Sequence, residues 1–268
     1  MFAYTHFVSN HLGSGGVVFA LSDRIGGYSR APFDSLNLAF HTGDNALVVQ
    51  DNISYMLKHF GVLHPLCVNN RLAYMTQIHG IHCATLESLM RDQAQLPMQD
   101  SCKIFNVGEA DVLLLTQKQI PAMVLVADCN PILFFDKVNN VAALIHAGRA
   151  GVFSRICSCA LRQMGAAFGT RAQDVYAFVG AGIRKCCYEV KDDVIAALKQ
   201  VCDDFSKYLY TRNNQHFLDL EAMLKEEFRT LGIYDCYFFG ECTSCNTNFF
   251  SYRRDGITGR FALIAQLI

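Results

Sequence analysis

Apolar residues in this chain come in short runs closed by a polar residue or a glycine, and none approaches the ~18 residues needed to cross a bilayer. Runs of this size suit strands better than long helices. They fall at residues 17–22, 72–78, 111–116, 122–127, 132–135, 141–145, 175–179, 237–239 and 260–267, and the polar stretch 136–140 reads as a hairpin loop. Helical spacing is sparser. Val49, Ile53, Met56, Leu57 and Phe60 share one face, and Val194, Ile195, Leu198, Val201 and Cys202 share another. Leu220, Met223, Leu224, Phe228 and Leu231 form a third stripe, which Gly232 should end. Residues 152–164 carry a fourth, weaker pattern. Strands cluster rather than alternate with helices, so the expected fold is α+β, one domain over residues 1–268 with mixed sheets packed in layers with helices.

Apolar residues make up 51% of the chain, enough for a substantial core. Lys and Arg number 23 against 24 Asp and Glu, so the basic excess of a nucleic-acid or membrane-surface binder is missing. The N-terminal stretch lacks the charged start and long apolar segment of a signal peptide, which places the chain in the cytoplasm as an expectation. In that compartment the 12 cysteines read as thiols rather than as a disulfide framework. Cys67, Cys83, Cys157, Cys159 and Cys236 read as buried small hydrophobes.

His79, Cys129 and His146 each sit at the exit of an expected strand, where the loops of a sheet can converge. Two imidazoles and a thiolate suit Zn²⁺, and three protein ligands leave a fourth position open, as in catalytic sites. The ligands are 50 and 17 residues apart with no compact signature, so spacing alone leaves the site undecided, with His82 a competing ligand.

A wider series of motifs bears on that choice. In order along the chain stand Asp34-Ser35-Leu36-Asn37-Leu38, His41-Thr42-Gly43-Asp44, Gln77-Ile78-His79-Gly80, Ala110-Asp111, Ala127-Asp128-Cys129-Asn130-Pro131 and His146-Ala147-Gly148. They are followed by Gly180-Ala181-Gly182-Ile183, Cys187-Tyr188-Glu189-Val190, Phe217-Leu218-Asp219-Leu220, Cys242-Thr243, Phe249-Phe250-Ser251-Tyr252-Arg253-Arg254-Asp255 and Thr258-Gly259-Arg260. The series resembles the YfiH-type family, long labelled multicopper polyphenol oxidoreductase or laccase and now described as purine nucleoside phosphorylases with adenosine deaminase activity. The resemblance implies an α+β fold and a zinc held by His79, Cys129 and His146, with copper as the alternative metal. It implies purine nucleosides and phosphate as partners, possible action on methylthioadenosine, and no nucleic acid, membrane or obligate protein partner. One departure stands out: where the family has H-A-G-W-R-G, this chain has His146-Ala147-Gly148-Arg149-Ala150-Gly151.

A zinc with an open position lowers the pKa of its water, which suits attack at C6 of adenine. Phosphorolysis needs an anion site as well, and guanidinium groups hold oxyanions bidentately. Arg24, Arg253 and Arg254 are the candidates for that site, while the hydroxyls of Ser35 and Tyr252 and the amide of Asn37 can orient ribose or base. Cys129, Asn37, Arg253 and Arg254 are therefore assigned to catalysis, and Arg24, Ser35 and Tyr252 to substrate binding. Against each stands a plain structural role: a solvated turn at Arg24, a turn held by Asn37, surface charges at Arg253 and Arg254, and a loop held by Asp128 or Asp111. Tyr188 and Glu189 read as packing and helix initiation.

Rival readings are a cysteine hydrolase with Cys129 as nucleophile and His146 as base, a copper-dependent polyphenol oxidase, and a nucleoside- or metal-binding protein without turnover. The Cys242-Thr243-Ser244-Cys245 stretch has redox-pair spacing but no thioredoxin-like context, so it and Cys186-Cys187 are read as reduced thiols without an auxiliary metal. Gly180-Ala181-Gly182 lacks the third glycine of a nucleotide fingerprint and reads as a tight turn.

Overall fold

Most of the expected strands are apolar on both faces, and the computed structural model shows why: two sheets lie face to face, and each is covered on its outer side by helices. The structure describes residues 1–11, 13–67, 70–86, 96–97 and 103–268. The first sheet has seven strands in the order β1 (Phe2–Ser9), β2 (Gly16–Ser22), β16 (Phe261–Leu267), β8 (Ala122–Val126), β3 (Arg71–Thr76), β6 (Lys103–Glu109) and β5 (Leu96–Pro97). The second has six: β15 (Asp235–Phe238), β11 (Val175–Val179), β9 (Asn130–Asp136), β10 (Val141–Ala147), β7 (Val112–Leu115) and β4 (Cys83–Thr85). Both mix parallel and antiparallel pairs.

Alternation along each strand then feeds two cores. Phe19, Leu21, Val124, Phe261 and Leu263 of the first sheet meet Leu133, Phe135, Leu144 and Phe178 of the second in a common interior. The intervening residues Val18, Ala20, Leu125 and Ile264 face outward onto α1 (Ala46–Phe60) through Val49, Ile53, Met56 and Phe60. On the far side, Ile132, Phe134, Ala143 and Ala177 meet α3 (Ile156–Phe168) and α5 (Leu220–Leu231). The result is an α+β fold in four layers, with α2 (Arg149–Phe153), α4 (Asp192–Val201) and α6 (Tyr252–Asp255) as shorter pieces. No helix of the described residues is long and apolar enough to cross a membrane.

The helix ends follow local chemistry. Asp219 accepts the Ala222 N–H at the start of α5, and Gly232, at φ 81°, closes it in the left-handed region. Asn45 caps α1 by accepting the Leu47 N–H. Residues 137–140 form the expected hairpin, in which Asp136 accepts the N–H groups of Val138 and Asn139.

Some expectations change. Residues 152–164 are not one helix: α2 and α3 are separated at Arg155, whose φ of 58° breaks the helical path. Val201 at the end of α4 is 39% exposed, so only Ile195 and Leu198 of that stripe are fully covered. Cys236 is exposed rather than buried, because β15 is an edge strand. The edge strand β1 and the small sheet of β12 (Glu189–Val190), β14 (Gln215–Leu218) and β13 (Leu209–Arg212) are largely half-exposed, so no apolar run announces them.

Phe178 is fully buried between the sheets, with its ring 4.9 Å from Phe19 and 5.0 Å from Tyr4. Truncating such a ring removes its burial and leaves a cavity. Phe178→Ala is expected to destabilise the protein by about 3–5 kcal/mol, read as a lower urea midpoint at unchanged m-value.

Candidate metal centre and its cavity

Strand register brings His79, Cys129 and His146 together. β3 and β8 are parallel hydrogen-bonded neighbours, with Ala73 opposite Ala122 and Tyr74 opposite Met123, so the chain leaves both at the same end of the first sheet. Gln77 extends that pairing with its side chain: its Nε2 donates to the Leu125 carbonyl at 2.6 Å, and its Oε1 accepts the Leu125 N–H at 2.9 Å. From there both segments cross to the second sheet. His79 lies on one crossing at φ 60°, and Asp128 on the other at φ 92°, immediately before Cys129. In the second sheet Ala147 is opposite Asn130 and His146 opposite Pro131, which sets His146 across from the second residue after Cys129.

The ligand atoms of these three residues all lie within 4.8 Å of one another. Cys129 Sγ is 4.0 Å from His79 Nε2. Ligands of a tetrahedral zinc lie roughly 3.5 Å apart, so little closure is needed. His146 turns its Nδ1 to Asp111 Oδ1 at 2.8 Å, leaving Nε2 for a metal. Asp111 is fully buried and also accepts the N–H groups of His79 and Gly80. Gly148 permits this crowding: a Cβ there would stand 3.1 Å from Cys129 Sγ and 3.2 Å from His79 Cδ2. Donor types, spacing and supporting hydrogen bonds therefore fit a zinc ion. His82 is not part of the group.

Electrostatics favour the ionised ligand. Burial of Cys129 opposes the thiolate, but the charges and hydrogen bonds of His146 and His79 outweigh it and bring the thiol down to about 6. Burial likewise opposes a charged His146, yet Cys129 and Asp111 raise it to about 9. Asp111 is held below the usual carboxylate range: burial works against it, but the hydrogen bonds from His146 and Gly80 win.

The three residues lie in the wall of a cavity of about 560 Å³, together with Gln77, Asp128, Arg149, Tyr188, Tyr252, Arg253 and Arg260. That size is in the usual range for small-molecule sites. Three of these residues are arginines, and none forms an ion pair with a carboxylate among the described residues; the arginines that do are Arg24, Arg171, Arg184, Arg229 and Arg254. Arg149 lies over the Phe153 ring at 5.8 Å, and Arg253 lies over the Tyr188 ring at 5.0 Å while donating to the Glu189 carbonyl. Arg260 donates to the carbonyls of Thr258 and Gly259.

The other residues singled out in the sequence divide sharply. Tyr252, which is 63% exposed, and Arg253 line the cavity. Arg24 and Ser35 line a separate, smaller hollow. Arg24 donates to the Asp34 carbonyl and carboxylate and lies over Phe250, while Ser35 Oγ accepts from Gly26 and Gly27. Asn37 is fully buried: its amide donates to Ala39, Thr42 and Asp44, and its oxygen accepts the N–H groups of Ala39 and Arg260. It holds Arg260, which leads into β16. Arg254 is taken up by Thr243, Phe249 and Asp255. Asp128 accepts the Thr243 hydroxyl on one oxygen and the Arg253 N–H on the other, a loop-holding arrangement. Arg149, Arg260 and Gln77 were not assigned to the site from the sequence. Arg260 and Gln77 stand inside the quoted motifs, which was the available signal.

Fold and site define a layered α+β protein whose paired sheets converge on a thiolate–imidazole cluster inside an arginine-lined cavity. Residues 18–268 match the family described as multi-copper polyphenol oxidoreductase laccase, and the chain belongs to it. A Streptomyces coelicolor protein named purine nucleoside phosphorylase is 32% identical over 247 residues, covering 92% of this chain and 94% of that one. The purine nucleoside phosphorylase YfiH of Escherichia coli strain K12 is 27% identical over 254 residues, covering 94% and 95%. Among solved structures, YlmD of Geobacillus stearothermophilus superposes with a TM-score of 0.80 at 28% identity, covering 93% of this chain and 91% of that one. A Neisseria meningitidis protein gives 0.78 at 26% identity, covering 94% of each.

The ionisation of Cys129 has a direct readout. A thiol lowered to about 6 is thiolate above that pH and protonated below it, so in chelator-stripped protein its alkylation should persist through neutral pH and fall as pH drops through about 6. Iodoacetamide labelling followed by peptide mass spectrometry checks this; a rate that falls already near pH 8–9, as for an ordinary thiol, would contradict it.

Proposed function

We propose that this chain is a zinc-dependent purine nucleoside phosphorylase that also deaminates adenosine. The observation that carries the reading is that the His79, Cys129 and His146 cluster shares one cavity with Arg149, Arg253 and Arg260, none of them ion-paired to a carboxylate among the described residues. The relatives at 32% and 27% identity are named purine nucleoside phosphorylase, which supports the phosphorylase part of the reading. Zinc, when bound, supplies Lewis-acid polarisation and lowers the pKa of water. The rest falls to the chain's own groups. The guanidinium groups of Arg149, Arg253 and Arg260 receive phosphate at the cavity wall, where the half-burial of Arg149 and Arg260 strengthens their charge-assisted bonds. The rings of Tyr188 and Tyr252 offer flat apolar surface to a purine. Asp111 orients His146 by holding its Nδ1 proton, and Asn37 positions the Arg260 backbone.

The donor set speaks for zinc over the copper of the family's description. Two imidazoles and one thiolate converge here, whereas a multicopper cluster needs many more histidines. The cysteine-hydrolase reading draws on the same ionised Cys129 and His146 pair. Activity separates the two. Metal-analysed protein is incubated with adenosine, inosine, guanosine and methylthioadenosine, with and without phosphate. Base release that needs phosphate, together with inosine formed from adenosine, supports the proposal. Equal release without phosphate makes the protein a hydrolase, and no product leaves a binding protein.

Arg149 stands where the family has Trp, and Ala150 where it has Arg. Its place in the cavity makes it the replacement cation. Loss of a charge-assisted hydrogen bond of about 1.5–3 kcal/mol should raise the phosphate Michaelis constant of Arg149→Ala about tenfold or more, with a smaller effect on deamination. An unchanged constant, alongside improved phosphorolysis in Arg149→Trp with Ala150→Arg, would show that Arg149 does not hold phosphate.

A further inference from the structure

Cys186 and Cys187 are separated by more than fifty residues from Cys242 and Cys245, yet the fold gathers all four. Their strands explain this. β11 and β15 are parallel neighbours, with Tyr176 opposite Asp235 and Val179 opposite Phe238, so their exits run side by side. The pairing continues past the strands: Gly182 and Cys242 form a parallel bridge, Gly182 N–H donates to the Glu241 carbonyl, and Thr243 N–H donates to the Gly182 carbonyl. A turn then closes on each side. The N–H groups of Cys187 and Tyr188 donate to the Arg184 carbonyl, and the Asn246 N–H donates to the Cys242 carbonyl.

The four sulfurs lie within 4.8 Å of one another. Cys245 Sγ is 3.5 Å from Cys186 Sγ and 3.2 Å from Cys187 Sγ, far beyond the ~2.05 Å of a disulfide. Four sulfurs at about 2.3 Å from a central zinc would be about 3.8 Å apart, close to the spread seen here. Three of the four cysteines are wholly or partly exposed, so an ion can reach the group.

We infer that Cys186, Cys187, Cys242 and Cys245 form a second, structural zinc site. Four thiolates fill a tetrahedral ion completely and leave no position for water or substrate, so this site holds the fold and takes no part in chemistry. What it holds is a wall of the cavity. Cys187 precedes Tyr188, and Thr243, inside the Cys242–Cys245 turn, donates its hydroxyl to Asp128 at 2.6 Å. Arg254 ties the same turn to the segment bearing Arg253 through the carbonyls of Thr243 and Ser244. The site is independent of the proposed activity and is read from metal content without substrate.

Protein purified with zinc and without chelator should carry about two zinc ions per chain, one for each cluster. Cys129→Ala with His146→Ala should reduce this to about one. Adding Cys245→Ser should remove the remainder, with circular dichroism confirming that the variant is folded. Cobalt added to the metal-stripped Cys129→Ala, His146→Ala protein should give the intense sulfur-to-metal absorption of a tetrathiolate site. Unmutated protein provides a second route: Cys186, Cys187, Cys242 and Cys245 should resist iodoacetamide until a chelator is added, although Cys186 and Cys245 are exposed. Four thiols that alkylate freely in untreated protein, or a Cys187–Cys245 disulfide in the non-reducing peptide map, would overturn the proposal.

Discussion

One buried carboxylate, Asp111, holds both histidines of the centre. It accepts the backbone N–H groups of His79 and Gly80 and the Nδ1 proton of His146, so the crossing loop and β10 are fixed to the same group. An ionised carboxylate with no exposure is costly unless its lone pairs are taken up, and three donors do so here. The same bonds set the orientation of the His146 ring and leave its other nitrogen toward Cys129. Asp111 thereby links sheet geometry to ligand geometry: the β7–β10 register brings its backbone to His146, whose N–H donates to the Asp111 carbonyl.

The strands were legible because four layers bury both faces of the central sheets, leaving continuous apolar runs such as those of β9 and β10. The small third sheet was not, since β12, β13 and β14 have exposed or half-exposed faces and too few apolar residues to form a pattern. The third helical stripe and its stop at Gly232 were readable from spacing and from the left-handed closure a glycine allows. The break at Arg155 had no such sign, because nothing local marks that residue for positive φ.

The site was legible in its ligands and much less so in its cations. The strand-exit positions of His79, Cys129 and His146, with the ordered motifs, named the cluster that the fold gathers. Arginine identity says nothing about whether a guanidinium is already satisfied. Arg24 and Arg254 have carboxylate and carbonyl partners in their own and neighbouring turns, whereas among the described residues Arg149, Arg253 and Arg260 form no ion pair with a carboxylate. Asn37 shows the same limit in reverse. Its amide is fully used by local backbone and side chains, so a polar residue in one of the quoted motifs positions Arg260 from outside the cavity.

Both cysteine-bearing clusters obey one topological rule. Parallel neighbouring strands leave a sheet at the same end, so residues distant in sequence emerge side by side. In the first sheet the pair is β3 with β8, and their exits carry His79 and Cys129. In the second it is β11 with β15, and their exits carry the two pairs of cysteines. The difference between the clusters lies in what else reaches them. The first adds one histidine from β10 and keeps a side open to a cavity, which suits a reacting ligand. The second is made of sulfur alone, and its turns are closed by their own backbone hydrogen bonds, which suits an ion that stays. Asp128 connects the two, because one of its oxygens holds Thr243 beside the four-cysteine group while its backbone leads directly into Cys129. The sulfur cluster is thus tied to the cavity by the Thr243–Asp128 hydrogen bond, by the peptide link from Cys187 to Tyr188 and by the Arg254 bonds to the carbonyls of Thr243 and Ser244.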